Sequence, residues 1–155
     1  VGVPDRDAAT VPTRSQNYAK PITRSRKLEG MWWQPGEGFY FVASFARGAD
    51  TTSPDGSARS HDGQVWLYRP SRDTIELKLT FAYPPNDQEN GPDGPDNITV
   101  APFGGVIIAE DGEGKQHLVG ALPTGDTFYL ARNDVNDSEF AGPNLSPDRS
   151  ILFAN

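Results

Sequence analysis

Glycine and proline punctuate this chain so closely that long helices have nowhere to form. Sixteen glycines and fourteen prolines are spread through 155 residues, and few stretches escape both for a dozen positions. Glycine costs about 1 kcal/mol in a helix interior and proline about 3, so the spacing favours short strands joined by turns. One of the two long intervals free of both, from Ser71 up to Pro84, alternates Ile75, Leu77, Leu79 and Phe81 with polar neighbours, which is strand period. The other, Asp126–Ala141, turns polar after Leu130.

Short strands are expected from Leu28 onward. They run at Gly38–Ser44, around Gln64–Tyr68, at Ile98–Ala101, Val106–Glu110, His117–Leu122, Thr127–Ala131 and Ile151–Ala154, with turns such as Pro-Thr-Gly-Asp between them. A repeat lies beneath them. Glu29-Gly-Met-Trp-Trp-Gln-Pro35 leads into a strand reaching Ser44, and Asp96-Asn-Ile-Thr-Val-Ala-Pro102 into one reaching Glu110. Ala141-Gly-Pro-Asn-Leu-Ser-Pro147 leads more weakly into one reaching Asn155. A second hairpin completes each of the first two copies.

Four antiparallel strands per unit, in series, are the blades of a β-propeller. The expected fold class is therefore all-β, a partial β-propeller of about two and a half four-stranded blades, with a β-sandwich as the alternative. The blades span 28–83 and 96–131, with a half blade at 139–155, inside a propeller region 26–155. Residues 1–25, polar with scattered prolines, read as an extended arm or a loop from a larger body. Two and a half blades do not close a ring, so the expectation is a fragment of a larger propeller, completed by the missing half or by a second copy of the chain.

Charge is uneven. Residues 1–30 carry six basic and three acidic groups, whereas the whole chain has a net charge of −7. The remainder is therefore strongly acidic, which disfavours nucleic acid and anionic membrane and favours cations. The absence of cysteine excludes disulfides and thiolate ligands within the chain. No apolar run is long enough to span a bilayer, and no apolar signal core stands at the N-terminus.

In a propeller the first strand of each blade lines the central axis. Glu29 and Asp96 hold matching repeat positions, Asn97 follows, and Glu139 lies just before the third copy. Converging carboxylates repel unless a cation compensates them, and calcium takes six to eight such oxygens. The plain alternative is that these are ordinary strand-start and turn residues. Glu110 closes the apolar run Val-Ile-Ile-Ala and is read as a weaker ligand candidate, while Asp111 is read as a hairpin residue. Arg24, Arg26 and Lys27 either flank a solvated strand start or clamp an anionic substrate beside the metals. Asp111-Gly-Glu-Gly-Lys115 lacks the spacing of a phosphate-binding loop, and His61 and His117 are lone histidines without a partner at ligand spacing, so both read as structural or surface residues. The Trp32–Trp33 pair reads as core and blade contact rather than as a ligand platform.

Taken together, Leu28-Glu-Gly-Met-Trp-Trp, Gly63-Gln-Val-Trp-Leu-Tyr-Arg-Pro70, Gly94-Pro-Asp-Asn-Ile-Thr-Val-Ala-Pro102, Gly104-Gly-Val-Ile-Ile-Ala-Glu-Asp-Gly112 and Ser138-Glu-Phe-Ala-Gly142 with Leu145-Ser-Pro-Asp148 resemble the C-terminal part of the PhoX-type alkaline phosphatases. The resemblance implies a secreted or periplasmic bacterial β-propeller that hydrolyses small phosphate esters with iron and calcium at its axis. It implies that Glu29, Asp96, Asn97 and Glu110, with Glu139, match metal-site or active-site motifs, and that Arg26 or Lys27 matches a basic phosphate contact. The family's cysteine iron ligand has no counterpart here. The implied chemistry is metal-assisted phosphoryl transfer, in which cations neutralise the phosphate oxygens. Two other readings stand beside it: a non-catalytic propeller fragment that binds a partner, and a calcium-dependent lactonase or esterase on a similar propeller.

Overall fold

The computed structural model describes residues 27–45, 61–82 and 91–155; Arg26, the expected arm 1–25 and the last residue of the expected first blade lie outside them. The described residues form ten strands and no helix. Strands β1 (Leu28–Gln34), β2 (Gly38–Ala43), β3 (Gly63–Arg69) and β4 (Thr74–Phe81) make one sheet. A second contains β5 (Pro95–Val100), β6 (Val106–Glu110), β7 (His117–Ala121) and β8 (Thr127–Arg132). Strands β9 (Asn144–Leu145) and β10 (Leu152–Phe153) pair as a separate hairpin. Every pairing is antiparallel, and each sheet follows chain order. This all-β arrangement of four, four and two strands is that of a partial β-propeller. No helix among the described residues is long and apolar enough to cross a membrane.

One core joins the two large sheets. Val42, Val65 and Phe81 of the first meet Ile98, Val106, Ile108, Val119 and Ala121 of the second, with Tyr40 and Leu79 at the margin. Fully burying one such aliphatic side chain contributes about 1.5–3 kcal/mol. The period-two pattern of β4 suggests that Ile75, Leu77, Leu79 and Phe81 share a face, but the register divides them. Val65 pairs with Leu79 and its neighbour Trp66 with Leu77, so Lys78 is an extra residue in a bulge. A bulge switches the side of the sheet on which the following side chains emerge. Phe81 is thereby buried in the core, while Ile75 and Leu77 are exposed.

The first sheet therefore carries a second apolar face. The register aligns Trp33, Phe39, Tyr68 and Ile75 in one row and Met31, Phe41, Trp66 and Leu77 in the next. Trp33 meets Phe39 in a tilted ring contact with centroids 4.7 Å apart, yet Trp32 and Trp33 are both exposed. The tryptophan pair is thus surface rather than core. The reason is that β1 is an edge strand, covered by β2 on one side alone.

The contact that positions everything below is between β1 and β5. A Cβ on Gly30 would stand 2.6 Å from the Asp96 carbonyl oxygen and 2.8 Å from the Asn97 Cα, closer than side-chain carbons come to backbone. Only glycine lets the two strands approach so nearly. Each strand is also irregular at this point. Leu28 pairs with Ala43 but Met31 with Phe41, leaving one residue too many across Glu29 and Gly30. Pro95 pairs with Glu110 but Asn97 with Ala109, leaving Asp96 as the extra residue. Two bulges, at matching places in the repeat, re-aim Glu29 and Asp96 where the backbones meet.

Gly30→Ala is expected to lower unfolding free energy by about 1–3 kcal/mol, the usual cost of overpacking, measured by urea denaturation. Gly91→Ala, whose added carbon would meet nothing within 4 Å, is the control and should stay within about 0.5 kcal/mol of the parent.

Candidate functional site

Residue 27 has a positive φ of 39°, and the Ser44 amide donates to the Lys27 carbonyl at 2.9 Å. This fixes the start of β1 beside the end of β2. The Lys27 ammonium then donates to Ser44 Oγ at 3.3 Å, lies 3.6 Å from Glu29 and 3.8 Å from Asp111, and sits 4.8 Å from the centre of the Phe45 ring. Asp111 is delivered from the second sheet by a backbone clasp. Gly94 donates to the Asp62 carbonyl and accepts from the Asp111 amide, both at 2.7 Å. The φ of Gly94 is 48°, and a Cβ there would come within 2.5 Å of the Asp111 carbonyl oxygen, so glycine is required.

Around Lys27 the structure brings together Glu29, Asp96, Asp111 and Glu139. Partial burial raises the Asp96 carboxyl above its ordinary range, and the negative charges of Glu29 and Asp111 raise it further while Lys27 opposes them. Glu139 is raised in the same way, by desolvation first, then by Asp111 and Asp96. Four acidic groups from three separate parts of the chain thus act on one another, with one described ammonium among them. Among the described residues, no three or more of His, Asp and Glu stand together in a form that could hold a metal ion.

Asn97 serves this group without joining it. Its Nδ2 donates to Asp96 Oδ2 at 2.6 Å, and its Oδ1 accepts from the Gly142 amide at 2.6 Å. It ties Asp96 to the chain that carries Glu139. Asn97 was expected among the ligands; in the structure both ends of its amide are already hydrogen-bonded.

Glu110 is not brought to this group. It lies buried at the end of β6, where Oε1 accepts from the Asp93 amide at 3.1 Å and Oε2 from the His117 amide at 2.9 Å. Oε2 also lies 2.8 Å from His117 Nδ1. The physical reason is register: Pro95 stands opposite Glu110 across the sheet, and the carboxylate facing Glu29 and Asp96 is Asp111, one residue further on. Asp111 was missed because a hairpin explains an Asp-Gly pair equally well. The His117 partner was missed because it is a carboxylate, seven residues back and across the β6–β7 turn.

Burial pushes the Glu110 carboxyl up to about 8. Burial, with the Arg132 guanidinium nearby, pushes the His117 imidazole below its usual range. Both shifts favour uncharged side chains, so around neutrality the pair holds one proton between Oε2 and Nδ1. The ring of His117 is further fixed by Tyr129, stacked at 4.0 Å with an interplanar angle of 24°.

A carboxyl raised on folding keeps its proton in the folded chain where the unfolded chain has released it, so its contribution falls as pH rises from its ordinary 4.5 to about 8. His117 acts oppositely, but only below its ordinary 6.5, where the unfolded imidazole takes a proton that the buried one does not. Between about pH 6.5 and 8 Glu110 is the member of the pair that acts. The melting temperature should drop across that interval, and Glu110→Gln should flatten the drop, as measured by calorimetry.

A family model described as alkaline phosphatase PhoX matches residues 2–155 of the chain. No curated protein and no solved structure matches it.

Proposed function

Because the chain belongs to the alkaline phosphatase PhoX family, whose members are in general metal-dependent, we propose that the acidic group around Lys27 is where it contributes to hydrolysis of a small phosphate monoester. The observation that carries this reading is an uncompensated acidic group: Asp96 and Glu139 are each pushed toward neutrality by desolvation first and then by the carboxylates around them, with Lys27 opposing. A cation removes that cost, and an all-oxygen donor set suits a hard one such as calcium. Glu29, Asp96, Asp111 and Glu139, which do not stand together as a metal site among the described residues, would have to close around it. When bound, it would supply neutralisation of phosphate oxygens in a place otherwise hostile to anions.

The chain's own residues set the rest. Lys27, held between Glu29, Asp111 and Ser44, presents a point charge for a phosphate oxygen. Arg26, outside the described residues, is the neighbouring candidate for the same contact. Asn97 keeps Asp96 and the Glu139 segment in step. Because burial, with the Glu29 and Asp111 carboxylates, raises the Asp96 carboxyl, cation binding there would be coupled to proton release. The cysteine-ligated iron that the resemblance implies has no thiolate in this cysteine-free chain, and no step is assigned to it. A secreted or periplasmic setting follows from the same family reading.

Titrating calcium into the chain while following carboxyl resonances should shift Asp96 and Glu139 together and release protons. Glu139→Gln and Asp96→Asn should each weaken binding about 10- to 100-fold. Phosphate release from p-nitrophenyl phosphate should be lost on adding a chelator. Calcium-independent carboxyl spectra, or release unaffected by the chelator, would defeat the reading. A lactone or aryl ester hydrolysed in preference would point instead to the esterase alternative.

A second reading, as a module that docks another sheet, is favoured by the face on which Met31, Trp33, Ile75 and Leu77 are exposed around a half-buried Phe39. The opposite face of the same sheet is already covered by a four-stranded sheet, so the proposed occupant is another of that kind. If it is a second copy, light scattering should show a dimer that Ile75→Glu with Leu77→Glu dissociates. A monomer at all concentrations would reject self-association.

A further inference from the structure

His117 also lines a cavity of about 990 Å³ that the phosphatase reading does not use. Its walls include Lys115 in the β6–β7 turn, Tyr129, Leu130 and Arg132 of β8, and Asp137 beyond it. The local sequence explains the shape. The turn is Gly112-Glu-Gly-Lys-Gln116, in which the Gln116 side chain accepts from the Gly112 amide at 3.1 Å and donates back to the Gly112 and Gly114 carbonyls. That rigid turn stands at one side, and β8, an edge strand, at the other.

Chemically, the cavity is the opposite of the acidic group. The imidazole at its wall is held in place twice: a buried carboxyl takes its Nδ1, and Tyr129 covers a ring face. Nε2 remains as the ring nitrogen with no hydrogen bond among the described residues. Lys115 and Arg132 add two cations. Each has an acidic neighbour, Asp137 at 3.6 Å and Asp134 at 2.8 Å, but all four side chains are largely exposed. Such surface ion pairs contribute little and open readily to a better anion. Tyr129 and Leu130 are also partly exposed, and they give the cavity an apolar wall. A polar, cationic rim beside an aromatic wall suits a ligand with a flat apolar body and an anionic head.

We propose that this cavity is a second binding site, separate from the acidic group, for a small aromatic anion. The ring lies against Tyr129 and Leu130, and the head group, phosphate-like or carboxylate, is held by Arg132, Lys115 and His117 Nε2. The proposal does not rest on the phosphatase reading and stands or falls without it.

Benzoate and phenylphosphonate, neither hydrolysable as a phosphate ester, serve as probes, with phenol as the neutral control. Titration followed by NMR should move the His117 ring, Tyr129 ring and Gly114 amide signals for both anions. Phenol should bind about tenfold or more weakly, the value of losing a charge-assisted contact. The tighter of the two anions identifies the head group. The double variant Lys115→Ala with Arg132→Ala should weaken anion binding about tenfold or more, whereas Glu139→Gln should leave it unchanged. Three results would overturn the proposal: no movement of these signals at millimolar probe, phenol binding as tightly as the anions, or anion binding that survives the double variant.

Discussion

The close approach of two backbones at Gly30 is the constraint from which the rest of this structure follows. An antiparallel sheet left to itself alternates its side chains regularly and keeps its edges apart from those of its neighbour. Here β1 of one sheet comes within contact distance of β5 of the next because nothing projects from Gly30. The bulges at Glu29–Gly30 and at Asp96 turn both carboxylates into the junction. The aliphatic core between the sheets then holds that junction closed from below. Packing thus supplies the free energy that assembling like charges costs.

The molecule handles buried acidity in two different ways within two adjacent residues. Glu110 is withdrawn from water entirely and is satisfied by two backbone amides and an imidazole. Its charge is suppressed, and it acts as part of the frame. Asp111 faces the opposite situation, half-exposed among like charges with one lysine nearby. A group satisfied from within has no use for an ion; a group strained by its neighbours does. That contrast is why the acidic junction, rather than the better-ordered Glu–His pair, carries the functional reading.

Much of the fold was legible in the sequence. The glycine and proline spacing excluded helices, the alternation located eight of the strands, and the repeat of Glu29-Gly with Asp96-Asn grouped them into units of four. Less of the site could be read. Glu29, Asp96 and Glu139 were placed together from repeat position, and the structure finds them acting on one another. Glu110 lies apart from them while Asp111 lies among them, because neighbouring residues on a strand face opposite ways and a shift of one residue reverses them. The same arithmetic misplaces the apolar residues of β4, where one bulged lysine divides a regular pattern between two faces.

The sequence by itself determined what this chain cannot avoid: short strands, tight turns, an acidic body without thiols, and glycines where backbones must meet. These are local properties, fixed by dihedral preference and side-chain chemistry. Tertiary structure alone decided which carboxylates face one another, which one is silenced by burial beside a histidine, and where the cations Lys115 and Arg132 gather beside an aromatic wall. Those outcomes depend on strand register and on the position of single bulges. Both arise from pairings between residues far apart in the chain, and no local pattern encodes them.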